Sequence, residues 1–363
     1  MASDITQYLR QTIALGGSDL HLSPWAPAAA RVHGQIVPLD QEILDPSTVR
    51  SLILDTLTEA QRATLEEDWE LDYALQVEDI GRFRGNVHIA RGHAEAAFRF
   101  ISQDVPDLVQ LGHHEVVNEF CKLRSGLVLV TGITGSGKST TLASMVRRIG
   151  DTRNGVIITL EDPIEFVFNH RSCLIKQREV GTDTRSFPKA LRQALRQDPD
   201  VIVVSELRDL ETIRIALTAA ETGHLVLATL HTPDAPQTID RLVDVFPSDQ
   251  QPQIITQLAS VLEGIICQRL IPRADGQGRV LASEVLVSSH AIRNCIREHK
   301  LEQIVGLMEI GHREGNRTID QSIAHLMENG FITREEAIFH SRERKSFEAP
   351  PKEPKKPKSI WTS

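Results

Sequence analysis

Three things are scarce in this chain, and each scarcity removes a class of function. No run of 18 or more apolar residues occurs in its 363 residues, and the opening MASDITQYLRQT has no apolar stretch of the kind a secretory signal carries. Neither export nor a membrane span is therefore expected, and the cytoplasm is the default compartment. Cysteine is sparse: Cys121, Cys173, Cys267 and Cys295 stand far apart with no C-x-x-C pair. That argues against a zinc ribbon and fits free thiols in a reducing compartment. Excess positive charge is missing too. A formal net charge of -9 with 25% charged residues describes a mildly acidic protein and weakens a reading as a free DNA or RNA translocase, although a local basic channel is compatible with an acidic total.

What is present divides into parts. The length suits two ordinary domains, each able to bury its own core. Residues 1–100 alternate short strands ("SDLHLS", "AARVHGQIVPL", "LDYALQ", "GRFRGNVHIARG", "AEAAFRFIS") with the helical "DPSTVRSLILDTL", which is an α+β pattern. Residues 101–113, "QDVPDLVQLGHH" and its surroundings, hold a proline and few core residues and read as a linker. Over 114–290 the pattern becomes β-α alternation. The apolar strands "GLVLVTG", "GVIITLED", "DPDVIVVSE" and "HLVLATLH" are separated by amphipathic helices such as "SFPKALRQALRQ" and "LETIRIALTAAETG". Continuous Val, Ile and Leu in each strand predict a parallel sheet covered on both faces. Residues 291–345 look helical, and 346–363, rich in Pro and Lys, read as a solvated, disordered basic tail.

The stretch TGITGSGKSTT, residues 131–141, matches G-x-x-x-x-G-K-[ST] between a buried-type strand and a helix. Glycines at these spacings let backbone N–H groups of Thr134, Gly135, Ser136 and Gly137 turn toward phosphate oxygens. Lys138 supplies a mobile positive charge, and the Ser139 hydroxyl, followed by Thr140, suits magnesium. Two strands then end in acids. "VIVVSE" ends at Glu206, a carboxylate that suits magnesium directly or through water. "TLEDPIEF" ends at Glu161 and Asp162, with Glu165 after them, and a carboxylate there suits the deprotonation of attacking water. Taken alone, either acid reads more readily as a helix cap or a surface charge than as a site residue; their shared place at strand ends after a phosphate loop reverses that preference.

His224 and His231 flank the strand "LVLATL", so His231 falls at the edge that carries Lys138. There its N–H suits a sensor for an oxygen that exists only before hydrolysis, against the plainer reading of a structural histidine. Arg82, Arg84, Arg91 and Arg99 stand in strand-like segments of the first part. They read either as solvated faces or as charges delivered to a nucleotide held elsewhere, including in a neighbouring subunit.

Five blocks together resemble the secretion and type IV pilus ATPase superfamily: "GITGSGKSTT", "ITLEDPIEF", "LRQDPDVIVVSELRD", "TGHLVLATLHT" and "AIRNCIRE". The fifth resembles an element associated with its pilus-retraction branch. The resemblance spans about 340 residues, leaves out only the basic tail, and lacks the longer N-terminal region and four-cysteine module typical of assembly ATPases. It implies an α/β fold: a RecA-like P-loop ATPase domain with a smaller α+β, PAS-like N-terminal domain and a helical C-terminal region.

The resemblance also assigns roles. It implies Glu161 as general base, Glu206 as the acid supporting magnesium, and Lys138, Ser139 and Thr140 as phosphate and metal ligands. His224 and His231 match its histidine box, and Arg84 and Arg99 match arginines that approach the nucleotide. The implied cofactors are ATP and Mg2+. The implied assembly is a homohexamer that works on an inner-membrane pilus platform protein, alongside other pilus ATPases and without nucleic acid, at the cytoplasmic pilus base.

Three positions depart from the family pattern. Ser205 stands where glycine is usual before Glu206, Ile133 replaces a common proline, and Cys295 replaces a leucine in the fifth block. If Ser205 needs a positive φ it is strained. Three rival readings stay open: an accessory retraction ATPase or one serving another secretion apparatus, a nucleotide-binding ring component with little hydrolysis, and a nucleic-acid translocase.

Overall fold

The computed structural model describes residues 4–348 apart from 33 and 103. Two compact units emerge from one chain. Of the described residues, the first holds those up to Val105 together with Glu161–Asn169 and Gln177–Arg185; the second holds Pro106–Leu160, His170–Lys176 and those from Ser186 on.

The first unit is built on a six-stranded sheet of β1 (Gly17–Leu22), β2 (Ala29–Val32), β3 (Gln35–Pro38), β4 (Glu70–Val77), β5 (Gly81–Ala90) and β6 (His93–Ile101), in the order β3-β2-β1-β6-β5-β4. Every pairing is antiparallel. The stretch "AARVHGQIVPL", read as one strand, is β2 and β3 paired at Val32 and Gln35, so the chain reverses inside it. The helices Ile5–Ala14 and Pro46–Leu54 pack on β1 and β6. The second begins where the sequence marks it, with Asp45 accepting from the amides of Ser47 and Thr48 and Pro46 in the first turn. Alternation along β1, β5 and β6 sends Leu20, Leu22, Phe83, Val87 and Phe98 into one core with Leu9 and Ile53.

The second unit carries a seven-stranded sheet of β7 (Gly126–Thr131), β8 (Gly155–Glu161), β9 (Cys173–Glu179), β10 (Val201–Val204), β11 (Leu225–Leu230), β12 (Leu262–Pro272) and β13 (Arg279–Val287), in the order β13-β12-β7-β11-β10-β8-β9. β12, β7, β11, β10 and β8 run parallel, and β13 is antiparallel at the edge. The four apolar runs read from the sequence are β7, β8, β10 and β11, and β7, β10 and β11 are buried along their whole length. The β12–β13 pair was not read as strand. The helix Gln251–Val261 passes into β12 at Leu262 with no intervening turn, and Gly264 falls inside the strand at a register shift rather than between the two elements.

The expected C-terminal helices form at His290–Arg297, Ile304–Ile310, Ile319–Glu328 and Arg334–His340. Ile319, Ile323 and Leu326 join Ile271 and Ala282 of the sheet in a second small core that also takes Phe347, so the first residues of the expected tail pack; residues 349–363 lie outside the described residues. The expected linker also contributes core. Leu108 is buried, and His113 is inside the second unit. Among the described residues no helix is long and apolar enough to cross a membrane, and all four cysteines are free and buried.

Candidate functional site

The loop after β7 turns on glycines at positive φ, where an L side chain is strained. Gly132 has φ 142°, and a Cβ there would lie 2.5 Å from the Gln268 carbonyl oxygen and 2.6 Å from Ser136 Oγ. Gly137 caps the helix Lys138–Thr152 in the left-handed region at φ 89°. With no side chain on the capping residue, the N–H groups of the first turn keep their donor capacity for an anion at the positive end of a 15-residue helix. Thr134 and Gly135 are exposed, Ser136 is buried with its hydroxyl unbonded, and Ser139 and Thr140 are half-buried beside the turn.

Lys138 is mostly buried, and its ammonium donates to the carbonyls of Gly132 (2.8 Å) and Ile133 (3.1 Å). His231 Nδ1 stands 3.4 Å from the same nitrogen. The other ring nitrogen, Nε2, lies 3.2 Å from Glu206 Oε1, so one histidine joins the loop lysine to the acid at the end of β10. Arg208 occupies the second oxygen, Oε2, at 2.8 Å. Burial pushes the Glu206 carboxyl up, but the Arg208 hydrogen bond and the charges of His231 and Arg208 outweigh it and hold the group below the usual carboxylate range. A cavity of about 560 Å3 opens beside this pair, lined by Glu206, Arg208, His231, Gln237 and Arg241 among others.

Ser205 is placed without strain. It is not among the non-glycine residues with positive φ; its N–H donates to Leu160 O at 2.9 Å, and its carbonyl accepts from the Thr229 hydroxyl. The replacement of glycine therefore costs nothing in backbone conformation. Ile133 is similarly harmless, because its side chain is exposed and the loop uses its carbonyl.

The remaining candidates separate. His224 precedes β11 and His231 follows it, so a whole strand, roughly 20 Å, lies between them. His224 Nδ1 is instead 3.0 Å from Ala219 O, at the C-terminal end of the helix Leu210–Glu221. Glu161 closes β8, the parallel neighbour of β10, and its Oε1 accepts from Gln177 Nε2 at 3.0 Å. Arg84 and Arg99 face each other across β5 and β6 in the first unit, and their like charges are offset by Asp72 (3.8 Å) and Asp19 (2.8 Å).

Sequence reading missed three supports. Arg208 follows Glu206 by two residues in "SELRD" and had a legible signal. Gln268 and His113 had none. Gln268 Nε2 donates to Thr141 Oγ1 at 2.9 Å, and His113 Nε2 lies 2.8 Å from the same hydroxyl, one turn into the loop helix. Burial pushes the His113 ring down to about 4, so it is neutral near pH 7.

This geometry has known counterparts. The type II/IV secretion system protein family model matches residues 2–310. The chain belongs to that family. Within it, the chain is 46% identical over 334 residues to the type IV pilus retraction ATPase PilT of Pseudomonas aeruginosa, covering 92% of this chain and 97% of that one. It is 37% identical over 338 residues to the type IV pilus ATPase PilU of the same organism, covering 93% and 88%. Among solved structures, the pilus retraction motor PilT with bound ADP superposes with a TM-score of 0.89 at 47% identity, covering 95% of this chain and 98% of the other. The α/β fold expected from the sequence is thus the fold of this family.

Proposed function

We propose that this chain is an ATP-hydrolysing motor of type IV pilus retraction, working as a homohexamer in the cytoplasm at the inner-membrane base of the pilus. The observation that carries the ATPase reading is the line Lys138–His231–Glu206 at one edge of the parallel sheet, beside a glycine turn and a helix N-terminus. Similarity to PilT over nearly the whole length supports retraction as the use of the energy. It is greater than the similarity to PilU, which is the specific reason to prefer a retraction motor over an accessory ATPase.

In this reading the amides of Thr134–Thr140 cradle the phosphates, and Lys138 leaves the Gly132 and Ile133 carbonyls to pair with the β and γ phosphates. Glu161, held by Gln177, accepts the proton of the attacking water. His231 reports the γ phosphate to Glu206 and Lys138. His224 holds the far end of β11, and Arg84 and Arg99 neutralise developing charge on a nucleotide. Ser139 and Glu206 are hard oxygen donors that fit magnesium. Such an ion would be held by Ser139 and Glu206. When bound, it would supply charge neutralisation at the phosphates. The first unit is proposed as the PAS-like domain over 1–100, joined through 101–113 to the RecA-like core of 114–290. Residues 291–345 are proposed as the helical C-terminal region, to which Phe347 of the expected 346–363 tail also packs. The proposed partners are the pilus platform protein and other pilus ATPases, with no nucleic acid.

Two measurements test the reading. Purified protein should release phosphate from Mg-ATP, and Glu161→Gln should abolish that release; a wild type that binds nucleotide without turnover would make it a regulatory ring component. A host strain lacking the gene should carry excess surface pili and fail to move on surfaces. Bald cells would reverse the direction to assembly, and unchanged cells would point to another secretion apparatus.

A further inference from the structure

The buried carboxylate of Glu284 lies outside the nucleotide machinery. It sits on β13 with only 1% of its side chain exposed, and burial pushes its pKa up. Its Oε1 accepts from the Ala235 amide at 2.8 Å, in the first turn of the helix Ala235–Asp244. Its Oε2 has no close hydrogen-bond partner; the Ile319 amide also favours the charged carboxylate, and Arg342 approaches Oε2 at 3.8 Å. The same guanidinium nitrogen reaches Asp234 Oδ2 at 3.0 Å. Asp234 is the N-cap of the Ala235–Asp244 helix, accepting from both the amide and the side chain of Gln237.

Arg342 is itself anchored. Its amide and that of Glu343 donate to the two carboxylate oxygens of Asp320 at 2.7 and 2.9 Å, on the helix Ile319–Glu328, and Arg269 holds the His340 carbonyl at 2.7 Å. Three residues upstream of Asp234 is His231, and the intervening loop is stiff. Thr232 Oγ1 lies 2.6 Å from Thr238 Oγ1, and Thr238 donates to Asp234 O at 2.7 Å. A fixed path therefore runs from Asp320 through the 340–343 segment and Arg342 to the cap that ends the His231 loop.

We infer that Arg342 is a positioning residue: it clamps Asp234 and Glu284 together and so sets where His231 stands between Lys138 and Glu206. The guanidinium is the only cation that reaches both carboxylates among the recorded ion pairs of the described residues. Without it two neighbouring carboxylates repel, one of them buried, and the capped turn after His231 loosens. The C-terminal helices then do more than complete a small core. They hold the catalytic edge from behind, and a load applied to them reaches His231.

The kinetic side of this inference rests on the ATPase reading, so the test has one arm that needs no turnover. Arg342→Ala should lower kcat for ATP about tenfold with KM within about twofold, since geometry rather than binding is lost. Arg342→Lys should recover most of that. The double variant Arg342→Ala/Glu284→Gln should regain the melting temperature but not kcat, because Asp234 still lacks its cation. Recovery of kcat together with stability would reduce Arg342 to neutralising a buried charge and overturn the inference. Independently of turnover, hydrogen exchange at residues 232–238 should rise about tenfold in Arg342→Ala while residues 138–152 keep their protection. Unchanged exchange at 232–238 sinks the inference even if the wild type proves inactive, and a wild type without phosphate release sinks the ATPase reading alone.

Discussion

His231 Nε2 lies 3.2 Å from Glu206 Oε1 while Nδ1 of the same ring lies 3.4 Å from Lys138 Nζ. A single imidazole thereby connects a strand-end acid with the phosphate-loop lysine. Glu206→Gln keeps the shape and removes the charge. Turnover of ATP should fall at least about 100-fold while affinity for ADP stays within about threefold. Phosphate-release assays and titration of a fluorescent ADP analogue measure the two separately.

Gly132→Ala places a methyl 2.5 Å from the Gln268 carbonyl oxygen at a φ of 142°, where an L side chain is strained. Neither the β12 backbone nor the loop can yield cheaply. A loss of about 2–4 kcal/mol is expected, with weaker nucleotide binding, both readable from thermal melts with and without ADP.

His113 supplies a pH dependence of stability. Its folded pKa, about 4, is depressed below the unfolded value near 6.5, so the unfolded chain binds the extra proton first. The contribution is therefore complete above about pH 6.5 and is lost as the pH falls through the window toward 4, amounting to roughly 3 kcal/mol in full. Urea midpoints at pH 7.5 and 5 should differ less for His113→Gln than for the wild type, and equal differences would remove His113 as a contributor.

The block "AIRNCIRE" divides by exposure. Arg293 donates to the carbonyls of Ala259 (3.0 Å) and Ser260 (2.7 Å) at the end of the helix Gln251–Val261, and pairs with Glu263 at 2.7 Å. Arg293→Ala should cost about 1–3 kcal/mol. Arg297 is exposed and reaches only Asn294 at 3.4 Å among the recorded contacts, so Arg297→Ala should melt within about 0.5 kcal/mol of the wild type. If Arg297→Ala nonetheless abolishes motility in cells, the exposed face of this helix serves a partner and the buried face serves packing on the helix Gln251–Val261.

Much of the site was legible because it is local. Strand, loop and helix follow one another within TGITGSGKSTT, and the acids and His231 stand where apolar strands stop, so the topology of a parallel sheet brings them to one edge, whereas His224 lies at the opposite end of β11. Cys295 was read as a buried replacement for leucine and is 8% exposed. The 101–113 segment shows where such reading ends. Its proline and polar residues mark a connection between units, and nothing in them announces that His113 reaches Thr141.

The sequence by itself determined the α/β alternation, the phosphate loop, and the strands whose ends carry Glu161, Glu206 and His231. Periodicity and turn chemistry act over a few residues, and these features need no more than that. Only the tertiary structure decided that the His231 ring stands between Lys138 and Glu206, that Gln268 supports Thr141 across 127 residues of chain, and that Arg342 reaches both Asp234 and Glu284. Those contacts are chosen by packing, in which a buried polar group takes whichever partner the fold presents.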